Sequence, residues 1–415
     1  MMGASANRSS ARYAAWDTSE PVDEMTSAPR TIAFYDAYAS LDGSGRILRI
    51  ITSKLDHARF QPLVILPRDE ALAEALREDG CDVVILPPDP PLDSYGGAIM
   101  ASGVLGKARA AASVRRHAAD VARCLREKGA ALLHCNQTRA VLQAGMGGVR
   151  AGGPVVWNVL IREPLPSWLV RYAGGLADHV IGLTPDIIDD FAGGDRLRTM
   201  MTNTPNTGKA ARFSPDLDGT AVRRELGLRA SHSLILMVGV LAKRKGHDVL
   251  VRAAPRIATS LPSARIVIAG GVPDEGPSWQ SELEALIVKL KVDEIVRLLG
   301  WRSDVPELLA ACDLYALPSR REGFPGTVLE AMASARPVVA TPAAAAGVID
   351  GVTGRIVPTD DHDALADAII ETLADPDRAR GMGEEGRRVA LRDYSAAAIA
   401  RRYEDVYTRL LGAPA

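Results

Sequence analysis

The sequence predicts an α/β protein built as two Rossmann-like domains, each a doubly wound parallel sheet. Short, almost wholly apolar runs recur along the chain, as strands buried on both faces require. Stretches of helical periodicity separate them, which is the βαβ pattern. The series then stops at a Thr-, Asn-, Pro- and Gly-rich stretch and begins again. The length of 415 residues agrees, since domains of roughly 100–200 residues give two or three.

The first series of strands is Thr31–Tyr35, Pro62–Leu66, Asp82–Leu86, Ala131–Cys135, Val155–Val159 and His179–Leu183. Between the first two, Ile47, Leu48, Ile51 and Leu55 mark one face of a helix. Residues 202–231 carry no strong period and read as a linker, with a short helix near Val222–Leu228. The second series is Leu234–Val238, Arg265–Ala269, Ile295–Leu299, Leu314–Leu317 and Pro337–Ala340. In the last helix Ile399, Tyr403, Val406 and Leu410 form an apolar stripe that must pack on something. The expected organisation is a disordered tail over 1–30, an N-terminal domain over 31–205 and a C-terminal domain over 206–392. A final helix over 393–415 is expected to cross back to the N-terminal domain.

Composition narrows the function. Forty-nine Lys and Arg against 51 Asp and Glu leave a net charge of -2, which argues against a general nucleic-acid binder. Cys81, Cys124, Cys135 and Cys312 are widely spaced and read as buried thiols of a reducing compartment. No apolar run is long enough for a membrane span, and the first 30 residues lack the apolar core of a secretion signal, so the default location is the cytoplasm.

The chemistry concentrates after strand Leu314–Leu317. A loop holding Glu322, Gly323, Phe324, Pro325 and Gly326 feeds a helix from about Thr327 to Ala333. Free N–H groups at such a helix start favour an anion, for which a nucleotide diphosphate is suited. Glu322 and Glu330 lie eight residues apart. They read either as acceptors for sugar or ribose hydroxyls or as a loop charge and a surface helix residue. Lys243, Arg244 and Lys245 crowd the start of a second helix, against its dipole, which points to an anion between them. Trp301 and Arg302 follow a further strand, and Gly43, Ser44 and Gly45 lie between the first strand and its helix.

The run EGFPGTVLEAMA followed by PVVAT resembles the E-x7-E signature of retaining glycosyltransferases of the GT-B fold, in glycosyltransferase family 4, the group 1 glycosyl transferases. The resemblance covers about Ile32–Leu411 and is strongest over 234–341. It implies two Rossmann-like domains facing a central cleft. It also implies transfer of a sugar from a nucleotide-diphosphate donor, UDP- or GDP-linked, to a glycan, lipid-linked or small-molecule acceptor, with no metal or further cofactor. In that scheme Lys245 and Arg244 clamp the diphosphate, aided by backbone at Phe324–Thr327 and at Gly43–Gly45. Glu322, with Lys245, is assigned to the reacting centre and holds the donor sugar, while Glu330 holds the ribose. The backbone at Trp301 and Arg302 lies against the base. Three departures stand out: Val240 occupies the family's arginine position, Arg46-Ile47 replaces Ala-Glu, and no His follows Val155–Val159. Asn158, Arg162 and Glu163 occupy that last region on the acceptor side. Pro205–Pro215 resembles the family's interdomain segment, with Thr207 for Gly and Lys209 for Asp. His134 reads as a packing residue.

Asp216–Asp218, Asp361–Asp363 and Asp375–Asp377 match a metal-binding Asp-x-Asp, but they lie in linker-like or helix-flanking contexts. The stretch from Lys107 through Arg116 to Lys128 reads as a solvated basic face, its rival being peripheral contact with an anionic membrane. A nucleotide-sugar 2-epimerase and a nucleotide-sugar-binding regulatory protein are the alternative functions.

Overall fold

The computed structural model describes residues 28–41, 43–89, 92, 103–160, 166–182, 201–203, 212–272, 278–322 and 324–412. The chain divides into two compact units, one of Met1–Asn206 with Ile399–Ala415, the other of Thr207–Ala398.

Unit 1 runs β1 (Arg30–Asp36), α1 (Gly43–Lys54), β2 (Phe60–Leu66), α2 (Ala71–Glu78), β3 (Asp82–Ile85), α3 (Val104–Glu127), β4 (Ala130–Asn136), α4 (Thr138–Ala151), β5 (Val155–Val159), α5 (Ser167–Leu176), β6 (His179–Gly182) and β7 (Met201–Asn203). Its sheet has the order β3-β2-β1-β4-β5-β6-β7, with every strand pair parallel. The strands are apolar throughout because both faces are covered: Ile32, Phe34 and Leu132 sit in one core layer, Ala33, Tyr35 and Leu133 in the other.

Unit 2 runs α6 (Thr220–Glu225), β8 (Ser233–Val238), a 3-10 turn (Lys243–Lys245), α7 (His247–Ser260), β9 (Ala264–Ala269), α8 (Ser278–Leu290), β10 (Val296–Gly300), α9 (Val305–Ala311), β11 (Leu314–Leu317), α10 (Gly326–Ala333), β12 (Val338–Ala340), β13 (Gly354–Ile356), α11 (His362–Ala374) and α12 (Pro376–Tyr394). Its order is β10-β9-β8-β11-β12-β13, again parallel. Both sheets are thus doubly wound about the first strand, in the 3-2-1-4-5-6 order. The sequence misses β7 and β13, each three residues long and mixing polar residues with apolar ones. β7 also moves the start of the linker to beyond Asn203, since Met201–Asn203 pairs with β6.

The last helix, α13 (Ala396–Leu411), returns to unit 1. Ile399, Tyr403, Val406 and Tyr407 enter the core layer of Phe34 and Phe60. Polar ties fix its register: Asp56 N donates to Glu404 Oε1 at 2.6 Å, and Arg30 Nη1 donates to the Leu411 carbonyl at 2.8 Å. Among the described residues no helix is long and apolar enough to cross a membrane. The four cysteines are buried and unpaired with one another.

Candidate active site

In a doubly wound sheet the strand order reverses beside the first strand. The loops leaving the carboxyl ends there splay apart and open a crevice. In unit 2 this point lies between β8 and β11, so its loops are 239–246 and 318–325. The sequence-predicted donor residues Arg244, Lys245 and Glu322 are on those two loops.

The loops are knitted into one frame. The Arg244 carbonyl accepts from Arg320 N at 2.7 Å and from Arg321 N at 3.3 Å. The Arg320 guanidinium donates to Lys243 O at 2.5 Å and to both Asp248 carboxylate oxygens at 2.9 and 2.8 Å, and it reaches Asp360 at 2.6 Å. Gly246 is required twice: its φ is +73°, and a Cβ there would lie 2.0 Å from the Pro318 carbonyl oxygen. Thr341 Oγ1 holds the Ser319 carbonyl at 2.5 Å. Sequence reasoning missed Ser319, Arg320 and Asp248; the arginine pair 320–321 beside Glu322 was the visible signal.

Within this frame Lys245 Nζ lies 2.7 and 2.9 Å from the two Glu322 carboxylate oxygens. Ser319 Oγ donates to the same carboxylate at 2.6 Å, and Arg244 Nη1 approaches it at 3.3 Å. The Glu322 side chain is 3% exposed and that of Lys245 12%. The crowded cations of 243–245, which the sequence takes to require an anion, are therefore first satisfied by the protein itself. Glu322 takes Arg244 and Lys245, while Lys243 pairs with Glu282 at 3.1 Å and covers the Trp279 ring. Behind Lys245, His247 is fully buried, and burial pushes its imidazole down to about 4, so it is neutral near pH 7.

Tyr315, buried on β11, ties the strand ends to α10. Its hydroxyl donates to the Val238 carbonyl at 3.1 Å and lies 2.7 Å from Thr327 Oγ1. Thr327 is thereby fixed in the first turn of α10, which begins at Gly326 after Pro325. Phe324 packs on the unit's core, and Glu330 sits half-buried on α10. Gly323 lies outside the described residues. Trp301 is 75% exposed, with its Cβ 3.3 Å from the position a Gly271 Cβ would take. The Arg302 guanidinium is engaged by Glu225 at 2.5 and 2.9 Å and by Asp304 at 2.7 and 2.6 Å.

In unit 1, Gly43, Ser44 and Gly45 are not a loop before the helix but its first turn. A Cβ on Gly45 would lie 2.0 Å from the Ser40 carbonyl oxygen, so close backbone approach explains that glycine. Asn158, expected on the acceptor side, is 1% exposed and its amide is engaged. Tyr403 OH donates to Asn158 Oδ1 at 3.2 Å, Asn158 Nδ2 to Asn136 Oδ1 at 3.2 Å, and Asn136 Nδ2 to Asp36 Oδ2 at 2.7 Å. The three strand-end residues are in register across β1, β4 and β5. His134 packs beside them, with Nδ1 2.9 Å from Tyr407 OH, and burial pushes its pKa down to about 3. Arg162, Glu163, the tail to residue 27 and 204–211 of the interdomain segment lie outside the described residues.

The Asp-x-Asp matches have structural duties. Asp361 and Asp375 cap α11 and α12, accepting from Ala364 N and Arg378 N, and Asp218 accepts from Thr220 N at 2.8 Å. The basic face of α3 is partly neutralised by the protein, through Arg116 to Asp89, Arg123 to Asp120 and Lys128 to Asp82.

Residues 232–375, which contain both loops of the frame, match the family described as glycosyl transferases group 1. Over this unit the chain is similar to the group 1 glycosyltransferases. It is 32% identical over 251 residues to a GDP-mannose-dependent alpha-(1-6)-phosphatidylinositol monomannoside mannosyltransferase of Mycolicibacterium smegmatis, covering 58% of this chain and 64% of that protein. It is 35% identical over 203 residues to a D-inositol 3-phosphate glycosyltransferase of Corynebacterium kroppenstedtii, covering 47% and 45%. The chain thus spans less than two thirds of either relative. HepE of Anabaena, solved in complex with UDP and glucose, has the same fold: TM-score 0.66 at 24% identity, over 92% of this chain and 100% of that one. A glycosyltransferase of Rickettsia africae superposes with TM-score 0.73 at 16% identity, over 92% and 99%. The fold is that of the GT-B glycosyltransferases, as the resemblance implies.

Proposed function

We propose that the protein is a retaining glycosyltransferase. It moves a sugar from a nucleotide-diphosphate donor to an acceptor hydroxyl, in the assembly of a glycan, polysaccharide or glycolipid. The observation that carries this reading is the Lys245–Glu322 pair at the β8/β11 switch point, with Arg244 beside it. Without ligand the carboxylate is the counter-ion of both cations. A diphosphate entering the crevice competes for Lys245 and Arg244, and Glu322 is released to accept hydroxyl groups of the donor sugar. Glu330, on α10, takes the ribose diol. Backbone at Phe324–Thr327 and the exposed Trp301 supply the remaining contacts to diphosphate and base.

In the reaction the bond between the anomeric carbon and the diphosphate oxygen breaks. The acceptor oxygen bonds to that carbon on the same face, and its proton passes to the leaving phosphate. Negative charge grows on the diphosphate, and fixed cations stabilise it more in the transition state than in the ground state. Lys245 and Arg244 supply that charge, so the scheme needs no metal. It also needs no protein nucleophile.

The test is thermal stabilisation by UDP-, GDP-, ADP- and dTDP-sugars, followed by product analysis with candidate acceptors. A ligand at about 100 times its dissociation constant adds about 2.7 kcal/mol. Stabilisation by one base only, lost in Glu330→Ala, followed by transfer with retained anomeric configuration, supports the proposal. Binding without turnover makes the protein a nucleotide-sugar-binding regulator, and release of a free epimer makes it a 2-epimerase. No stabilisation by any donor removes the nucleotide-sugar reading.

A further inference from the structure

A cavity of about 520 Å3 opens in unit 2 between the C-terminal end of α10 and the face of α12. It shares no residue with the donor frame. The frame meets α10 at its first turn, whereas the cavity is lined by Ala335 and Arg336 just past its last. An eight-residue helix separates the two ends by about 12 Å.

The wall is strongly basic. Arg336, Arg380, Arg387 and Arg388 line it against a single carboxylate, Glu384. The two inner arginines have no carboxylate partner among the described residues. Arg336 Nη2 donates to the Ala310 carbonyl at 2.9 Å, while its Nε is buried with no hydrogen-bond partner. Arg387 Nη1 reaches the carbonyls of Phe213, at 3.2 Å, and Ala333. Each guanidinium carries five N–H donors, of which these carbonyls take few, so both side chains keep charge and donors for a bound oxyanion. Among the described residues the two rim arginines pair within their own helix, Arg380 with Asp377 and Arg388 with Glu385, and they are 69% and 70% exposed. Such exposed pairs contribute little and yield readily to a better anion. Pro215 and the partly exposed Leu391 add an apolar edge.

The cavity is also preformed. Ala335 holds a left-handed φ of +55°, which turns the chain sharply after α10. Gly383 lets α12 lie directly on that turn, since a Cβ there would be 2.1 Å from the Ala335 carbonyl oxygen. Little ordering is left for a ligand to impose.

We propose that this cavity binds a phosphate-bearing small anion. Arg336 and Arg387 hold the phosphate, Arg380 and Arg388 close over it, and the apolar edge and Glu384 face the rest of the ligand. The site stands independently of the donor reading.

The experiment is calorimetric titration of the full chain with inorganic phosphate and, separately, glucose 1-phosphate, at constant ionic strength. The Lys245→Met/Glu322→Gln double variant removes the donor-frame pair and controls for phosphate bound there. Three outcomes are expected: saturable binding to the wild type, binding retained in that double variant, and affinity reduced about tenfold or more in Arg380→Ala/Arg388→Ala. Arg336→Met, checked for folding by circular dichroism, abolishes it; the rim variant decides the matter if Arg336→Met fails to fold. Tighter binding of glucose 1-phosphate than of phosphate assigns a sugar phosphate; equal binding assigns the free ion. The proposal is overturned if binding is lost in the donor-frame variant but unchanged in the rim variant, or if neither probe binds the wild type saturably.

Discussion

Replacing Lys245 with Met removes the principal counter-ion of a carboxylate that is 3% exposed. Breaking one partner of a buried pair costs about 3–5 kcal/mol, because the other charge stays buried and uncompensated. Here the low end applies, since Ser319 Oγ and the half-exposed Arg244 still address Glu322. The expected loss is about 3 kcal/mol, or a fall of about 1 M in the urea midpoint of unit 2 for a slope near 3 kcal/mol/M. Glu322→Gln keeps the Ser319 contact and strands only the less buried Lys245, so about 2 kcal/mol is expected. The double variant Lys245→Met/Glu322→Gln removes both charges and recovers to within about 1 kcal/mol of wild type. The assay is urea unfolding of all four proteins, with the coupling energy read from the cycle. All three variants also lose stabilisation by nucleotide sugars. Additive losses, with coupling under about 0.5 kcal/mol, would refute the claim that these side chains form one charged unit.

Further perturbations follow from the same geometry. Arg320→Ala removes the guanidinium joining Asp248, Asp360 and the Lys243 carbonyl; about 2 kcal/mol is expected, with weaker donor binding, measured by unfolding and calorimetry. Gly246→Ala meets both an unfavourable φ and a backbone oxygen, so a loss above about 2 kcal/mol and a displaced 243–245 turn are expected in its thermal stability and crystal structure. Burial lowers His134 to about 3, and His179 and His247 each to about 4, from 6.5. The folded state therefore binds fewer protons than the unfolded one. The stability these groups contribute is present above pH 6.5 and falls as the pH drops toward 4, by about 2 kcal/mol per histidine at pH 5. Unfolding midpoints between pH 7 and 5 check this, with His134→Phe expected to flatten part of the slope. Truncation after Ser395 strips Ile399, Tyr403, Val406 and Tyr407 from unit 1. At roughly 2 kcal/mol each the loss rivals a domain's whole stability, and proteolysis should reveal an unfolded unit 1.

Most strands were legible because both sheet faces are buried and the strands read as continuous apolar runs, as in Leu234–Val238 and Leu314–Leu317. β7 and β13 were not: Met201–Asn203 and Gly354–Ile356 are short and, unlike Val338–Ala340, mix polar residues with apolar ones, so pairing rather than pattern holds them. Lys245 and Glu322 were legible from local motifs, but their mutual contact was not. They lie 77 residues apart, and only the β8–β11 pairing brings their loops together. The same holds for Asn158. Its place near the end of a strand marked it as a candidate contact, while its engagement by Tyr403 depends on a helix 245 residues further on.

By itself, then, the sequence determined the two doubly wound units, the loop-to-helix positions of Lys245 and Glu322 and the resemblance to group 1 glycosyltransferases. These follow from local periodicity and short motifs, which need no partner elsewhere in the chain. Tertiary structure decided which charges neutralise one another, which strand-end polar groups are closed off by α13, and that four arginines meet around one cavity at the far end of α10. Such facts depend on side chains distant in sequence reaching within a few ångströms of each other. Electrostatic and hydrogen-bond energies fall steeply over that distance, so only the folded chain sets their sign.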